Sequence, residues 1–248
     1  MIWNLINTGF HNGSYNMEFD EAEAYRCTQS LDYPTLRFYG WKPPAISIGY
    51  NQSMDDFDTG QISTAGIDIV RRPTGGRAIL HSDELTYSVV MRLDNRGPRA
   101  LYKFINEGLV RGLKYLGVEA ELTGKGTDFQ EFYRSPSSIP CFSSSAKCEI
   151  QYRGKKLVGS AQRRYGQAIL QHGSILLGSS HRKIVDFLAP HLHLVRDTLE
   201  EEILARTIDL EEILGKRVAF SEAADALARG FADEHGIHFR QNEIIENT

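Results

Sequence analysis

Apolar and polar positions change rhythm several times along this chain, and each change marks an element. Ile2 to Ile6 is short and apolar, which predicts an edge strand, and the stretch from Gly9 to Gly13 ends it. From Ser14 to Gln29 the period becomes helical: Met17, Glu21, Ala24, Tyr25 and Thr28 share one face, with Asp20 and Glu23 elsewhere. Ser14 or Asn16 is placed to cap that helix, and early acidic residues suit the positive end of its dipole. Cys27, near its end, reads as a small buried hydrophobe. Thr35 to Trp41 alternates, Pro43 and Pro44 force an extended turn, and Ala45 to Gly49 resumes as a strand. The two predict a hairpin or a pair of neighbouring strands. Residues 51 to 66 are polar and predict a short helix and a loop. Ile67 to Arg72 is a strand running into Pro73-Thr74-Gly75-Gly76, and Leu85 to Leu93 is strand-like again.

The clearest helix covers Pro98 to Leu116, where Leu101, Phe104, Ile105, Leu109, Leu113 and Leu116 recur at helical spacing. Gly117 stops it. Val118 to Leu122 predicts a strand, and Gly124 to Pro140 a loop. Cys148, Ile150 and Tyr152 alternate along a strand, Gly154 turns it, and Leu157 to Gln162 returns as its partner; Gln167 to Leu177 adds another. Beyond about Arg182 the pattern is helical, with a helix over Ser221 to Glu234 capped by Ser221, and the tail Gln241 to Thr248 reads as disordered. Strands with intermixed helices and no clean βαβ repeat predict an α+β fold, a mixed β-sheet with surrounding helices. One catalytic domain over residues 1–248 is expected, with a core at about 1–180 and a helical part at about 181–240.

Composition narrows the function. At 248 residues, 41% hydrophobic and 24% charged, the chain has the make-up of a soluble globular protein. A net charge of -4 with intermixed signs argues against nucleic-acid binding driven by phosphate neutralisation. Three cysteines at irregular spacing form neither a disulfide framework nor a zinc pattern, so no metal is expected. No basic leader and no membrane-length apolar run are visible, which predicts a cytoplasmic protein that engages no membrane.

Two stretches carry candidate chemistry. RRPTGGRAILH, Arg71 to His81, sets Gly75 and Gly76 directly after a strand, where backbone N–H groups can approach a ligand; Arg71, Arg72 and Arg77 offer charge-assisted contacts. A plain turn with solvated arginines fits the spacing equally well. His81 is either a general base or a hydrogen-bonder that holds the loop. The second stretch, Ile139 to Leu177, contains Cys141 in a small-residue loop, Lys155 and Lys156 after Gly154, the small run Gly159-Ser160-Ala161, and His172-Gly173. Cys141 is more exposed to reaction than Cys27 or Cys148, and a thiol needs a nearby cation or base to attack quickly near neutral pH. Alternation sends Lys155 and Lys156 to opposite faces, so one of them faces the cleft.

RRPTGGRAILH, GKKLVGSAQRR and ILQHGSILL, in that order, resemble the lipoate–protein ligase and octanoyltransferase superfamily, related in fold to biotin protein ligases. The resemblance spans roughly residues 1 to 240 and implies that superfamily's mixed-sheet catalytic domain. Pro140-Cys141-Phe142 followed by serines and Glu149 is similar to the cysteine-dependent octanoyl-[acyl-carrier-protein]:protein N-octanoyltransferases, where ATP-using ligases carry a different sequence and many add an accessory domain. Relatives often have an acidic residue directly after the histidine; here Ser82 stands there and Asp83 follows.

The resemblance implies an acyltransferase of lipoate biosynthesis that takes octanoyl from acyl carrier protein onto Cys141 and passes it to a lysine of a lipoyl domain, such as the glycine cleavage H protein. No cofactor is then needed, and a monomer is expected. Lys156 would stand beside the thioester carbonyl as oxyanion stabiliser or base. Arg72, Gly75, Gly76, Arg77, His81, Gly159, Ser160 and Ala161 would form the substrate pocket, with His172 and Gly173 packed beneath it. Competing readings are an ATP-dependent lipoate–protein ligase, an amidotransferase moving octanoyl between lipoyl domains, and an inactive lipoyl-domain binder. Cys141 opposes the ligase, the intact Cys141 and Lys156 oppose the inactive binder, and the Ile-Pro-Cys-Phe-Ser run favours the carrier-dependent transferase.

Overall fold

A computed structural model describes residues 1–30, 33–123 and 149–241. Their strands form two sheets. The large one contains β1 (Ile2–His11), β2 (Thr35–Trp41), β6 (Glu84–Arg92), β7 (Glu121–Thr123), β8 (Glu149–Tyr152), β9 (Lys155–Tyr165), β10 (Ala168–Leu176) and β11 (His238–Gln241). Their order is β11-β1-β2-β6-β10-β9-β8-β7, with β11, β1 and β2 parallel and the other neighbours antiparallel. The small sheet, β4-β3-β5, uses β3 (Ala45–Ile48), β4 (Asp68–Arg71) and β5 (Ile79–His81). A mixed β-sheet with surrounding helices is therefore the architecture.

One face of the large sheet is closed by α3 (Gly97–Tyr115) and α6 (Phe220–His235). These helices approach closely because their contact is made of glycines: a Cβ on Gly230 would lie 2.2 Å from the Gly112 nitrogen. Trp3, Phe38, Leu109, Leu227 and Phe231 belong to the resulting core. The opposite face carries α1 (Gly13–Gln29), packed on β6 and β10. The small sheet has its own core, in which Ile46, Ile48, Ile62 of α2 (Thr59–Thr64) and Leu80 meet Ile184 and Leu188, together with Leu199 and Ile203 of α4 (Arg196–Arg206). A short α5 (Leu210–Leu214) precedes α6.

Several expectations need correction. The first strand is not an edge: β11 flanks it, and the chain passes Gly9 through a register shift and pairs on to His11. α1 is capped by Asn12, whose side chain accepts from the Tyr15 amide, and has no acidic residue in its first turn. Its buried face includes Asn16, Asp20 and Cys27, whereas Tyr25 is exposed. β2 and β3 are not partners but belong to different sheets. Ala219, not Ser221, occupies the N-cap of α6, without a side-chain cap bond. The loop expected over Gly124 to Pro140, and residues 242–248 of the tail, lie outside the described residues.

Candidate active site

The small sheet and the glycine loop lie against the α1-bearing face of the large sheet. The space between them is a cleft that opens to solvent, about 370 Å³ of empty space with that open part included, and Met17, Tyr39, Trp41 and Ile79 are among its apolar lining. Arg72, His81, Gly159, Ser160, Ala161, His172 and Gly173 also line it; Gly75, Gly76 and Arg77 do not.

Gly75 and Gly76 are exposed, and Gly76 has φ +97°, which favours glycine. Close approach is demanded just past the end of β3: a Cβ on Gly49 would come within 1.9 Å of the Gly76 carbonyl oxygen. Arg72 is buried and spends its guanidinium on this local structure, donating to the carbonyls of Ser47 (2.9 Å), Gly75 (3.0 Å) and Arg77 (2.7 Å). From outside, Arg71 donates to the carbonyls of Gly49, Tyr50 and Gln52, and Arg163 to that of Pro73. The loop is a braced turn.

Two buried histidines connect the cavity wall to carboxylates. His81 Nε2 lies 2.7 Å from Ser47 Oγ, and its Nδ1 lies 2.8 Å from Glu84 Oε1. Its ring stacks on Trp41 with centroids 4.0 Å apart. Glu84 Oε1 also accepts from Ser174 at 2.8 Å and Thr86 at 2.5 Å. His172 Nε2 lies 2.6 Å from Thr74 Oγ1, and Nδ1 lies 3.0 Å from Asp20 Oδ2. Asp20 further accepts from Arg37 (2.8 Å), Ser88 (2.8 Å) and Tyr39 (3.0 Å). Burial alone would raise the Asp20 carboxyl. The Arg37 guanidinium, with the bonds from His172 and Ser88, outweighs that effect and holds it below the ordinary value of 3.8. Burial and the Asp20 charge push the Tyr39 hydroxyl well up. An ionised carboxylate only accepts, so His172 carries its Nδ1 hydrogen toward Asp20.

Lys156 reaches this side of the sheet through an irregularity in β9. Ile150 pairs with Val158 and Gln151 with Lys156, so Leu157 is the extra residue of a β-bulge. Cross-strand pairs share a face, and neighbours along a strand alternate. Val158 thus faces α3 with Ile150 and Ile175. The bulge returns Lys156 to the face of Glu149 and Gln151, the same face as the Gly159–Ser174 and Ala161–His172 pairs. Lys156 is buried, its Nζ 2.6 Å from Glu149 Oε1, whereas Lys155 is half-buried and reaches the Leu204 carbonyl at 3.3 Å. Cys141 and Cys148 lie outside the described residues. Asp83 uses its backbone carbonyl to accept from Leu177 and Gly178, and its carboxylate to accept from Ser180.

Sequence reasoning assigned no role to Asp20, Ser47, Thr74, Glu84 or Glu149. For Asp20 a signal existed: Asn16, Asp20, Ala24 and Cys27 recur at spacings of four and three and form one buried stripe.

Residues 12–232 match the family model described as the lipoyl protein ligase A/B catalytic domain. The chain is 40% identical over 247 residues to an octanoyltransferase LipM of Kyrpidia tusciae, covering 98% of this chain and 90% of that one. A second octanoyltransferase LipM, from Symbiobacterium thermophilum, is also 40% identical, with the same coverage. Among solved structures, the bi-partite lipoate protein ligase of Thermoplasma acidophilum superposes with a TM-score of 0.79 at 25% identity, covering 99% of this chain and 88% of that one. The motifs around the braced glycine loop and the bulged lysine strand thus sit in a family whose matched model spans nearly the whole fold, and the chain is an acyltransferase belonging to the lipoyl protein ligase A/B catalytic-domain family.

Proposed function

We propose that this protein transfers octanoyl from octanoyl-acyl carrier protein to a lysine of a lipoyl domain, through a thioester on Cys141 and without ATP. The observation that carries the reading is 40% identity, over 98% of the chain, to octanoyltransferases, in a sequence with a cysteine eight residues before Glu149. The cavity supports it: its apolar side, Met17, Tyr39, Trp41 and Ile79, suits an alkyl chain, and Lys156 stands on the same sheet face.

In the first half-reaction the Cys141 sulfur bonds to the octanoyl carbon and the carbon–sulfur bond to the carrier's phosphopantetheine breaks. The expelled thiolate takes up the proton that Cys141 lost. One thioester replaces another, so no ATP is required. In the second, the acceptor lysine nitrogen bonds to the same carbon, the bond to Cys141 breaks, and the amine proton ends on the Cys141 sulfur. An amide replaces a thioester, which drives the sequence forward. The protein works as a monomer in the cytoplasm, and the H protein of glycine cleavage is a suitable acceptor.

Intact-protein mass spectrometry tests this. Wild type mixed with octanoyl-acyl carrier protein, without ATP, should gain one octanoyl group, which hydroxylamine or a lipoyl domain removes; Cys141→Ala should gain none. Lipoyl-domain modification that demands ATP and free octanoate would overturn the reading in favour of a ligase. An adduct formed from an octanoylated lipoyl domain, and not from the carrier, would replace it with amidotransfer.

A further inference from the structure

The buried Glu149 has no part in the half-reactions above, yet its carboxylate meets Lys156, on the cavity-side face of the sheet. We propose that Glu149 is a positioning residue that pins Lys156 as an ammonium on the cavity face, so that Lys156 serves acyl transfer as a fixed positive charge and not as a proton acceptor. The proposal rests on the octanoyl-transfer reading and assigns the role of one residue within it.

Three observations carry it. The bulge at Leu157 turns Lys156 away from the helical core and onto the face of Glu149. The Nζ–Oε1 distance is 2.6 Å, with the two side chains only 7% and 3% exposed, so solvent screens the pair weakly. The backbone beneath the lysine is held as well. The Ile208 amide donates to the Lys156 carbonyl at 3.1 Å, and Thr207 bridges to Lys156. Thr207 itself bonds His181 Nε2 at 2.9 Å and the Ile203 carbonyl at 2.8 Å.

Deprotonating Lys156 would leave the Glu149 carboxylate beside a neutral amine in a buried place, which is unfavourable. Nor does the proton balance require it. In both half-reactions the proton released by the nucleophile ends on the departing thiolate. What both share is negative charge, on an attacking or leaving sulfur and on the carbonyl oxygen. A fixed cation stabilises that charge in both directions.

The two roles predict opposite signs. Adduct formation from octanoyl-acyl carrier protein would be followed by rapid quench against pH for wild type, Glu149→Gln, Glu149→Asp, Lys156→Arg and Lys156→Met, with thermal melting as the folding check. Glu149→Gln should slow the reaction on the order of 10²-fold and move the alkaline loss of activity to lower pH, and Glu149→Asp should recover part of the rate. Lys156→Arg, whose guanidinium cannot act as a base, should outperform Lys156→Met at least tenfold, about what one stabilising contact contributes. A faster Glu149→Gln, or an Arg variant as slow as the Met variant, would overturn the proposal; the second comparison decides alone if Glu149→Gln does not fold. If wild type forms no adduct, the transfer reading fails separately. The ¹⁵N signal of Lys156 Nζ then decides the pairing. An ammonium that persists to higher pH in wild type than in Glu149→Gln supports it, and identical titrations overturn it.

Discussion

Thr74 and His172 are 98 residues apart in the chain, and the Thr74 hydroxyl lies 2.6 Å from His172 Nε2. Through the other ring nitrogen, His172 reaches Asp20 on α1, so one imidazole ties the glycine loop to both the central strand and the helix behind it. Arg72 braces the same loop through the Gly75 and Arg77 carbonyls. The cavity wall is therefore set by buried polar bonds that join loop, strand and helix in one arrangement.

Thr74→Val should loosen that wall. The isosteric side chain keeps the volume but leaves His172 Nε2 facing a methyl group, a loss of about 1–3 kcal/mol in folding stability. Because the defect sits in the loop, KM for the octanoyl donor should rise more than kcat falls, and Thr74→Ser should restore both. Urea unfolding and steady-state kinetics measured on the same preparations check this.

Gly49→Ala tests the loop from the residue that follows β3. The added Cβ would come within 1.9 Å of the Gly76 carbonyl oxygen, so the glycine loop must move. Overpacking of this kind costs about 1–3 kcal/mol. The expected outcome is a folded enzyme of lowered melting temperature whose donor binding is impaired, whereas Gly9→Ala, with nothing within 4 Å of the added Cβ, should cost stability through its φ of +68° and leave donor binding intact. Calorimetry with donor titration separates the two.

How much of this was visible in the sequence depends on where each residue's neighbours come from. The helix over Gly97–Tyr115 was legible because its apolar stripe is local, as was the hairpin turning at Gly154. The pairing of β2 with β6 instead of β3 was not, since the partner lies more than forty residues away and alternation does not name it. Asp20 falls off the predicted helix face because its burial is compensated by Arg37, Tyr39, Ser88 and His172, all outside its helix. Lys156 was expected to face opposite Lys155, and it does differ in burial. That it lies on the cavity side of the sheet and not on the side of the core follows from the bulge at Leu157, which no hydrophobic period announces.

Asp20→Asn should be among the most destabilising single changes outside the apolar cores. It leaves the Arg37 guanidinium, whose side chain is 1% exposed, without its anion, and breaking a buried pair in this way costs about 3–5 kcal/mol. Its pH signature follows from the sign of the shift. The folded carboxyl lies below its ordinary value of 3.8, so the stabilisation is fully present above that value and is lost as pH falls through the folded one. Wild type should lose stability in this acid range, and Asp20→Asn should show a shallower slope there in urea unfolding measured below about pH 4.

His181 predicts a second and separate window. Burial, aided by the neighbouring Arg182 charge, pushes its ring down from 6.5 to about 4. A histidine depressed in the folded state is protonated first in the unfolded chain. The stability it contributes is therefore whole above the unfolded value and declines as pH falls from 6.5 toward 4, below which the slope from this residue ends. The full decline amounts to roughly 3 kcal/mol. His181→Gln has no such titration and can still donate to an acceptor in the same place, so its urea midpoint should be nearly flat over that interval while the Asp20 window below it remains. In the folded enzyme the ring takes up its proton only near pH 4, so the bond from His181 to Thr207, which also bridges to Lys156, should persist over that interval, and octanoyl transfer by folded wild type should show no loss from this residue until pH nears 4. Equal slopes in the two proteins between pH 6.5 and 4 would place the titrating group elsewhere.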